Sequence, residues 1–403
     1  MIVSGLIATV LFNVLIKENK SLLFSFGLAL FAIYFSQGVF AARNQIFSFL
    51  IFELELYSLH GLLIEGKKRH FWILLILALL LVMFHDTVFP LFFVMILPYL
   101  AEVIFSKIWK LENSYKLEYS NLSNQKYLII LMMVSFAIGF LTPIFGTAYT
   151  NLVNCMNGVS TEFIEELQPV NLLSELPLAL LVFLTFAILC FTKTKVKIKD
   201  MLFALGFMVF SLIANRNLYF MYLIGTIYVG NILMTFLNTY LGEEKVQTKL
   251  SKLESLKLLI AVISILIVIT SIKNFSKRLD TEYVDDLSYP IEETAYILKY
   301  LDYENMRLWT HFNFGSYLEL NGIKVFVDSR SGMYTEQENE GCTVLEDWYK
   351  TNSGELKYND TFEKYGITHV LVDKDELISQ YIYDDPNYHL IYQSGIFSLY
   401  ERK

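Results

Sequence analysis

Residues 71–108 read FWILLILALLLVMFHDTVFPLFFVMILPYLAEVIFSKI. Two apolar runs, each close to the roughly 20 residues that cross the hydrocarbon of a bilayer, are parted only by His85 and Asp86. Such a break predicts a tight turn between two antiparallel membrane helices, Phe71 to His85 and Thr87 to Ile108. Working outward, the same pattern recurs at Met1 to Ile16, Ser21 to Ala41, Ile46 to Leu63, Tyr127 to Leu141, Leu176 to Phe191, Met201 to Ala214, Leu218 to Leu241 and Leu258 to Ile272. Composition agrees: 55% of the 403 residues are apolar and 18% charged, against about 25% charged in soluble proteins.

The stretch from Ile46 to Leu63 is the most polar of the ten. It carries Glu53, Glu55 and His60, and a carboxylate at mid-bilayer costs about 2.5–3.5 kcal/mol to insert, so it needs neighbours over its polar side. Glu53, Tyr57 and His60 recur at i, i+4 and i+7 and so share one helix face, either lining a polar cavity or joining a hydrogen-bonded cluster between helices.

Lys and Arg stay on the cytoplasmic side of membrane proteins. Alternate loops divide 17 to two: one set holds Lys17, Lys20, Lys67, Lys68, Arg69 and the lysines at 107–126, 193–199 and 245–257, whereas the other holds only Arg43 and Arg216. The expected fold is therefore a polytopic α-helical membrane domain of about ten transmembrane helices, residues 1–272, with the N-terminus and everything after Ile272 outside. Met1 opens directly into an apolar run without a basic leader, which points to helices upstream of this chain.

From residue 273 the pattern changes. Residues 1–272 hold 19 basic and 16 acidic side chains, residues 273–403 hold 13 and 24. YPIEETAYILKYL (289–301), CTVLEDWYK and TFEKYG have helical spacing, and MRLWTHF, IKVFVD, THVLVD, YHLIYQ and IFSLYE read as short strands. These predict a C-terminal extracytoplasmic α/β domain, residues 273–403. An acidic balance argues against nucleic acid, and Cys155, Cys190 and Cys342 are too few and too scattered for a disulfide framework or a cysteine zinc site. There is no P-loop, dinucleotide fingerprint, HExxH or nucleophile elbow.

Several polar groups on the outer side could carry chemistry. Arg43 and Arg216, each beside Asn, offer planar forks suited to phosphate oxygens, the group a lipid-linked substrate presents at a membrane surface; a phospholipid headgroup or a buried carboxylate would suit one Arg equally. Asp86, held in its short turn, and Glu162, Glu165 and Glu166 in STEFIEELQP could act as a general base or hold a hard divalent cation, while an amphipathic surface helix would use the same Glu spacing.

Together the Arg43-Asn44-Gln45 turn, FHDTVFPLFFVMILPYLAE from Phe84, IEELQP from Ile164, ANRN around Arg216 and HFNFGSYLELNGIKVFVDSRSGMYT from His311 resemble bacterial members of the integral-membrane glycosyltransferases of the C superfamily (GT-C). The resemblance implies transfer of a sugar from a polyprenyl-phosphate carrier to a glycan, lipid or protein acceptor on the outer face, with outer-loop carboxylates as base or cation ligands and basic residues gripping the phosphate. Such enzymes place their catalytic acid after the first helix, where this chain has the cytoplasmic KENK; it resembles the family without its first helices. The tail is also similar in plan to oligosaccharyltransferase catalytic subunits, with HFNFGSY in place of Trp-Trp-Asp-Tyr-Gly and Asn313 in place of the acidic residue. Asn313, Tyr317, Asp328 and Arg330 are expected to face the membrane cavity and position the acceptor, with Gly315 at a sharp turn; alternatively Asp328 and Arg330 form an internal ion pair and Tyr317 fills the core. A transporter or flippase of lipid-linked sugars, or an inactive protein displaying the tail as a binding module, are the competing readings.

Overall fold

The computed structural model describes residues 2–40, 44–109, 116–143, 145–157, 161, 164–246, 248, 262, 265, 266, 269, 273, 288–336 and 339–403. Arg43, Glu162, most of the expected helix from Leu258 to Ile272 and the start of the tail lie outside the described residues. The chain divides into two compact units, residues 1–157 with 164–260, and residues 261–403 with 158–163.

The first unit is helical. Away from water a backbone must satisfy its own amides and carbonyls, which the helix does within one segment. Its helices are α1 (Ile2–Asn19), α2 (Leu22–Phe35), α3 (Gln45–Leu63), α4 (Arg69–Phe84), α5 (Pro90–Ile108), α6 (Lys126–Ile138), α7 (Thr147–Asn157), α8 (Leu176–Phe191), α9 (Ile198–Ile213) and α10 (Asn215–Leu241). Four are long and apolar enough to cross a membrane: α1, α3, α5 extended from Asp86, and α10. Local signals set the ends. Ser21 caps α2 by accepting from the Phe24 amide, and α5 opens on Pro90, whose missing amide is harmless in a first turn. Helix α10 passes through a π-helical stretch, Met221–Gly225, directly after the Arg216 turn. The short helix α7 forms inside the loop between the sixth and seventh apolar segments.

Loop contacts fall into two groups. In one, the Ser123 amide donates to Leu63 O (2.6 Å), Asn124 Nδ2 to Leu62 O and Gly66 O, and Lys116 Nζ to Leu189 O and Cys190 O. There too, strand β1 (Leu117–Glu118) pairs in parallel with β2 (Val196–Lys197). In the other, the Asn215 amide donates to Gln168 O (2.9 Å), the Val170 amide to Leu212 O, Asn151 to Asp86, and Ser48 meets His85. The first group gathers the lysine-rich connections and the second the lysine-poor ones.

The second unit is built on a four-stranded sheet of order β3-β4-β6-β5: β3 (Leu308–Trp309) runs parallel to β4 (His369–Asp373), and β4 and β5 (Tyr388–Ser394) flank β6 (Phe397–Arg402) antiparallel. The alternation of HVLVD puts Val370 and Val372 into a core with Trp309, Val327 and Phe362. Helices α11 (Ile291–Tyr300), α12 (Phe312–Leu320), α13 (Val344–Asn352), α14 (Tyr358–Tyr365) and α15 (Leu377–Tyr383) surround it.

Two expectations are corrected here. IKVFVD is no strand beyond one parallel bridge, Leu308↔Val325, because its neighbour β3 is only two residues long before the chain turns into α12. FNFGSYLEL is helical, so Gly315 does not turn the chain. A Cβ there would collide with the Val327 carbonyl, and glycine is required because the helix lies directly on that segment.

Candidate functional site

The lysine-poor end of the helical unit collects polar side chains from four segments. His85 ends α4, and the following 3₁₀ turn (Asp86–Val88) leads into α5, so consecutive residues project from a connection too short to move freely. Ser48, in the first turn of α3, hydrogen-bonds His85 Nδ1 through its hydroxyl at 2.8 Å. Asn151 of α7 donates from Nδ2 to Asp86 Oδ2 at 2.6 Å, which fixes the carboxylate. Arg216, on the Asn215–Asn217 turn before α10, is near enough for its charge and that of Asp86 both to act on His85. All three of His85, Asp86 and Arg216 are half-buried. A guanidinium fork, a carboxylate and an imidazole thus share one end of the unit, groups able to hold an anion and to move a proton.

Of the residues expected on the outer side, Asp86 and Arg216 both lie near enough for their charges to act on His85. Arg43 lies outside the described residues, as does the side chain of Glu165, and Glu166 is half-buried on the short Glu165–Leu167 turn. Among the described residues no group of three His, Cys, Asp or Glu side chains could hold a metal ion.

The α3 face does not act as one cluster. His60 Nδ1 reaches Glu18 at 2.8 Å, and Tyr57 lies beneath Lys17 (4.4 Å from Nζ to the ring centre) and against His70. Glu53 is fully buried, and neither of its oxygens has a hydrogen-bond partner among the described residues; Glu55 is the same. What sequence reasoning missed is the network that claims His60. Lys199 Nζ sits 2.9 Å from Asp200 and 3.4 Å from Glu18, Asn231 Nδ2 donates to both carboxylates at 3.2 Å, and Tyr99 and Tyr228 flank the ammonium at 5.6 Å. Lys199, which reads as one more cytoplasmic loop lysine, is 1% exposed. Its only sequence signal is the Lys-Asp pair at the start of an apolar helix.

In the tail, Asp328 is fully buried and ion-paired with Arg330, whose Nε lies 3.0 Å from each carboxylate oxygen; Tyr334 adds a hydrogen bond at 2.9 Å, and Arg330 Nη2 also donates to Glu319. Burial alone would raise the Asp328 carboxyl, but these hydrogen bonds hold it down at about 2. Tyr317 packs on Tyr289, ring centres 5.2 Å apart. Asn313, one of the four expected acceptor residues, lines a cavity of the tail. No protein-family model matches the chain, and no curated protein matches it.

Proposed function

We propose that the chain is a membrane glycosyltransferase of the GT-C kind that uses a polyprenyl-phosphate-linked donor at its lysine-poor end. The observation carrying this reading is the meeting of Arg216, Asp86 and His85 there. In the proposed step the acceptor hydroxyl attacks the anomeric carbon while Asp86 takes its proton, and the bond from that carbon to the carrier phosphate breaks. The polyprenyl phosphate leaves with the electron pair, and the Arg216 fork meets the charge developing on it. Asn151 holds the Asp86 carboxylate for this attack. We read the chain as crossing the membrane ten times, with the lysine-poor end and the tail outside; the grouping of lysine-rich loops with one another supports that reading.

Transfer from a synthetic polyprenyl-phosphate sugar by the purified protein, lost in Asp86→Asn, tests the activity. No transfer by the parent protein to any glycan, lipid or peptide acceptor defeats it. Topology is tested separately with single cysteines in a variant lacking Cys155, Cys190 and Cys342. Cysteines at Lys68 and Lys195 should react only after permeabilisation, and one at Asn359 in intact cells. Glu53 and Glu55, buried without hydrogen-bond partners among the described residues, favour a second reading as a translocator of lipid-linked sugars, since ionisable groups at such depth commonly mark a transport path. Flux in proteoliposomes without transfer would select it.

A further inference from the structure

Strands β3 and β4 run parallel and end at the same edge of the tail sheet. From there the chain leaves β3 through His311 into α12 and leaves β4 through Asp373–Glu376 into α15. Loops that diverge from the carboxyl ends of neighbouring parallel strands open a crevice, the usual ligand position in α/β sheets. Here it is a cavity of about 510 Å³, inside the roughly 300–1,000 Å³ range of small-molecule sites.

Its polar lining is committed in part and open in part. The Asp373 amide donates to Glu376 Oε1 and the Asp375 amide to Asp373 Oδ1, both at 2.9 Å, so the loop's own backbone fixes both carboxylates. Glu376 Oε2 remains buried without a partner among the described residues. Across the cavity the Asn313 amide donates to His311 Nδ1 at 3.1 Å, which puts the proton of the neutral ring on Nε2 and makes that nitrogen a donor. The Asn313 side chain adds an amide that both donates and accepts, and Tyr289 and Phe314 add ring surface.

Carboxylates repel a phosphate, so the carrier end of a lipid-linked donor does not suit this cavity. A purely apolar ligand would leave its polar groups unpaired. Neighbouring hydroxyls, each donor and acceptor at once, satisfy carboxylate, imidazole N–H and amide together, while the C–H face of a sugar ring lies on an aromatic side chain. We propose that this cavity binds an uncharged saccharide through Glu376, Asp373, His311 and Asn313. Occupancy of the cavity by a saccharide does not rest on the sugar-transfer reading above.

The test uses the full chain in a detergent without a sugar headgroup, such as lauryldimethylamine oxide, with methyl glycosides of glucose, galactose, mannose and N-acetylglucosamine as probes in saturation-transfer NMR. At least one glycoside should bind with Kd of about 1 mM. Binding should weaken at least tenfold in Glu376→Gln and in Asn313→Ala, and stay unchanged in Lys357→Gln, an exposed position away from the cavity. Asn313 is exposed, so its variant serves if substitution of the half-buried Glu376 fails to fold. Binding of none of the four, binding indifferent to both cavity variants, or binding of choline in their place overturns the proposal. Saccharide binding without any transfer would sink the enzyme reading alone, and transfer without saccharide binding would sink this inference alone.

Discussion

The two ends of the helical unit handle charge in opposite ways. At the lysine-rich end, Glu18, Asp200 and Lys199 are sealed from solvent, with one ammonium between two carboxylates and His60 and Asn231 filling further lone pairs. At the lysine-poor end, His85, Asp86 and Arg216 are half-buried, each of the first two held by one neutral side chain. A closed set of buried charges is costly to disturb and has little left to offer a substrate. An open set held by neutral partners is cheap to disturb and keeps hydrogen-bonding capacity for a ligand. Stability should therefore reside at one end and chemistry at the other.

The sharpest attack on this contrast is Lys199→Met, which strands two buried carboxylates and should cost about 3–5 kcal/mol, read as thermal unfolding of the purified protein. Adding Glu18→Gln should recover part of the loss, because the two sites share one network. A melting temperature indifferent to Lys199→Met would mean that the network is not closed. Next, Asp86→Asn should lower transfer about 100-fold, equivalent to about 2.7 kcal/mol of barrier, while leaving the melting temperature alone. Arg216→Ala should weaken binding of a polyprenyl-phosphate analogue, and Arg216→Lys should restore only part, since an ammonium keeps the charge but loses the fork. If these variants unfold the protein instead, the open end is structural as well.

A smaller effect is expected in the tail, where Gly315→Ala drives a methyl group into the Val327 carbonyl and should cost about 1–3 kcal/mol by overpacking. An unchanged melting temperature would show that α12 can slide off its neighbouring segment.

Nine of the ten apolar segments were legible because apolar length needs no tertiary context; the described helices fall on them to within a few residues, except that the second ends at Phe35, six residues before Ala41. Asp86 and Arg216 stand out because charged residues in the short lysine-poor turns are few. Glu18, Lys199, Asp200 and Asn231 were not legible: they come from three helices, and a lysine at a helix start looks the same whether it faces water or a buried carboxylate. HFNFGSY misled because an aromatic-rich stretch with a central glycine fits a turn as well as a helix, and only the closeness of Val327 separates the two. The cavity residues His311, Asp373 and Glu376 had a weak signal, polar residues just past strand ends, that could have been followed.

The contrast between closed and open groups also has a pH window in the tail cavity. Burial pushes the Glu376 carboxyl up to about 7, and the neighbouring Asp373 charge pushes the same way; the Asp373 amide opposes them only in part. Unfolded, the group returns to the ordinary carboxylate range near 4.5. A folded state that holds its proton more tightly is favoured at low pH, so Glu376 contributes its full stabilisation below about pH 4.5 and loses it as the pH rises toward 7. A tenfold tighter hold on the proton corresponds to about 1.4 kcal/mol, and partial exposure reduces the expected total to about 1–2 kcal/mol. Other groups titrate in this range, among them His311, which burial pushes down. The informative quantity is therefore the difference between the parent chain and Glu376→Gln, which carries no proton at that site. That difference should change steadily between pH 4.5 and 7, the parent losing stability relative to the variant, and level off above. A difference that stays flat across the window would show that Glu376 is hydrated and ionised like a surface carboxylate. The open oxygen in the tail cavity would then be open to water rather than kept for a ligand.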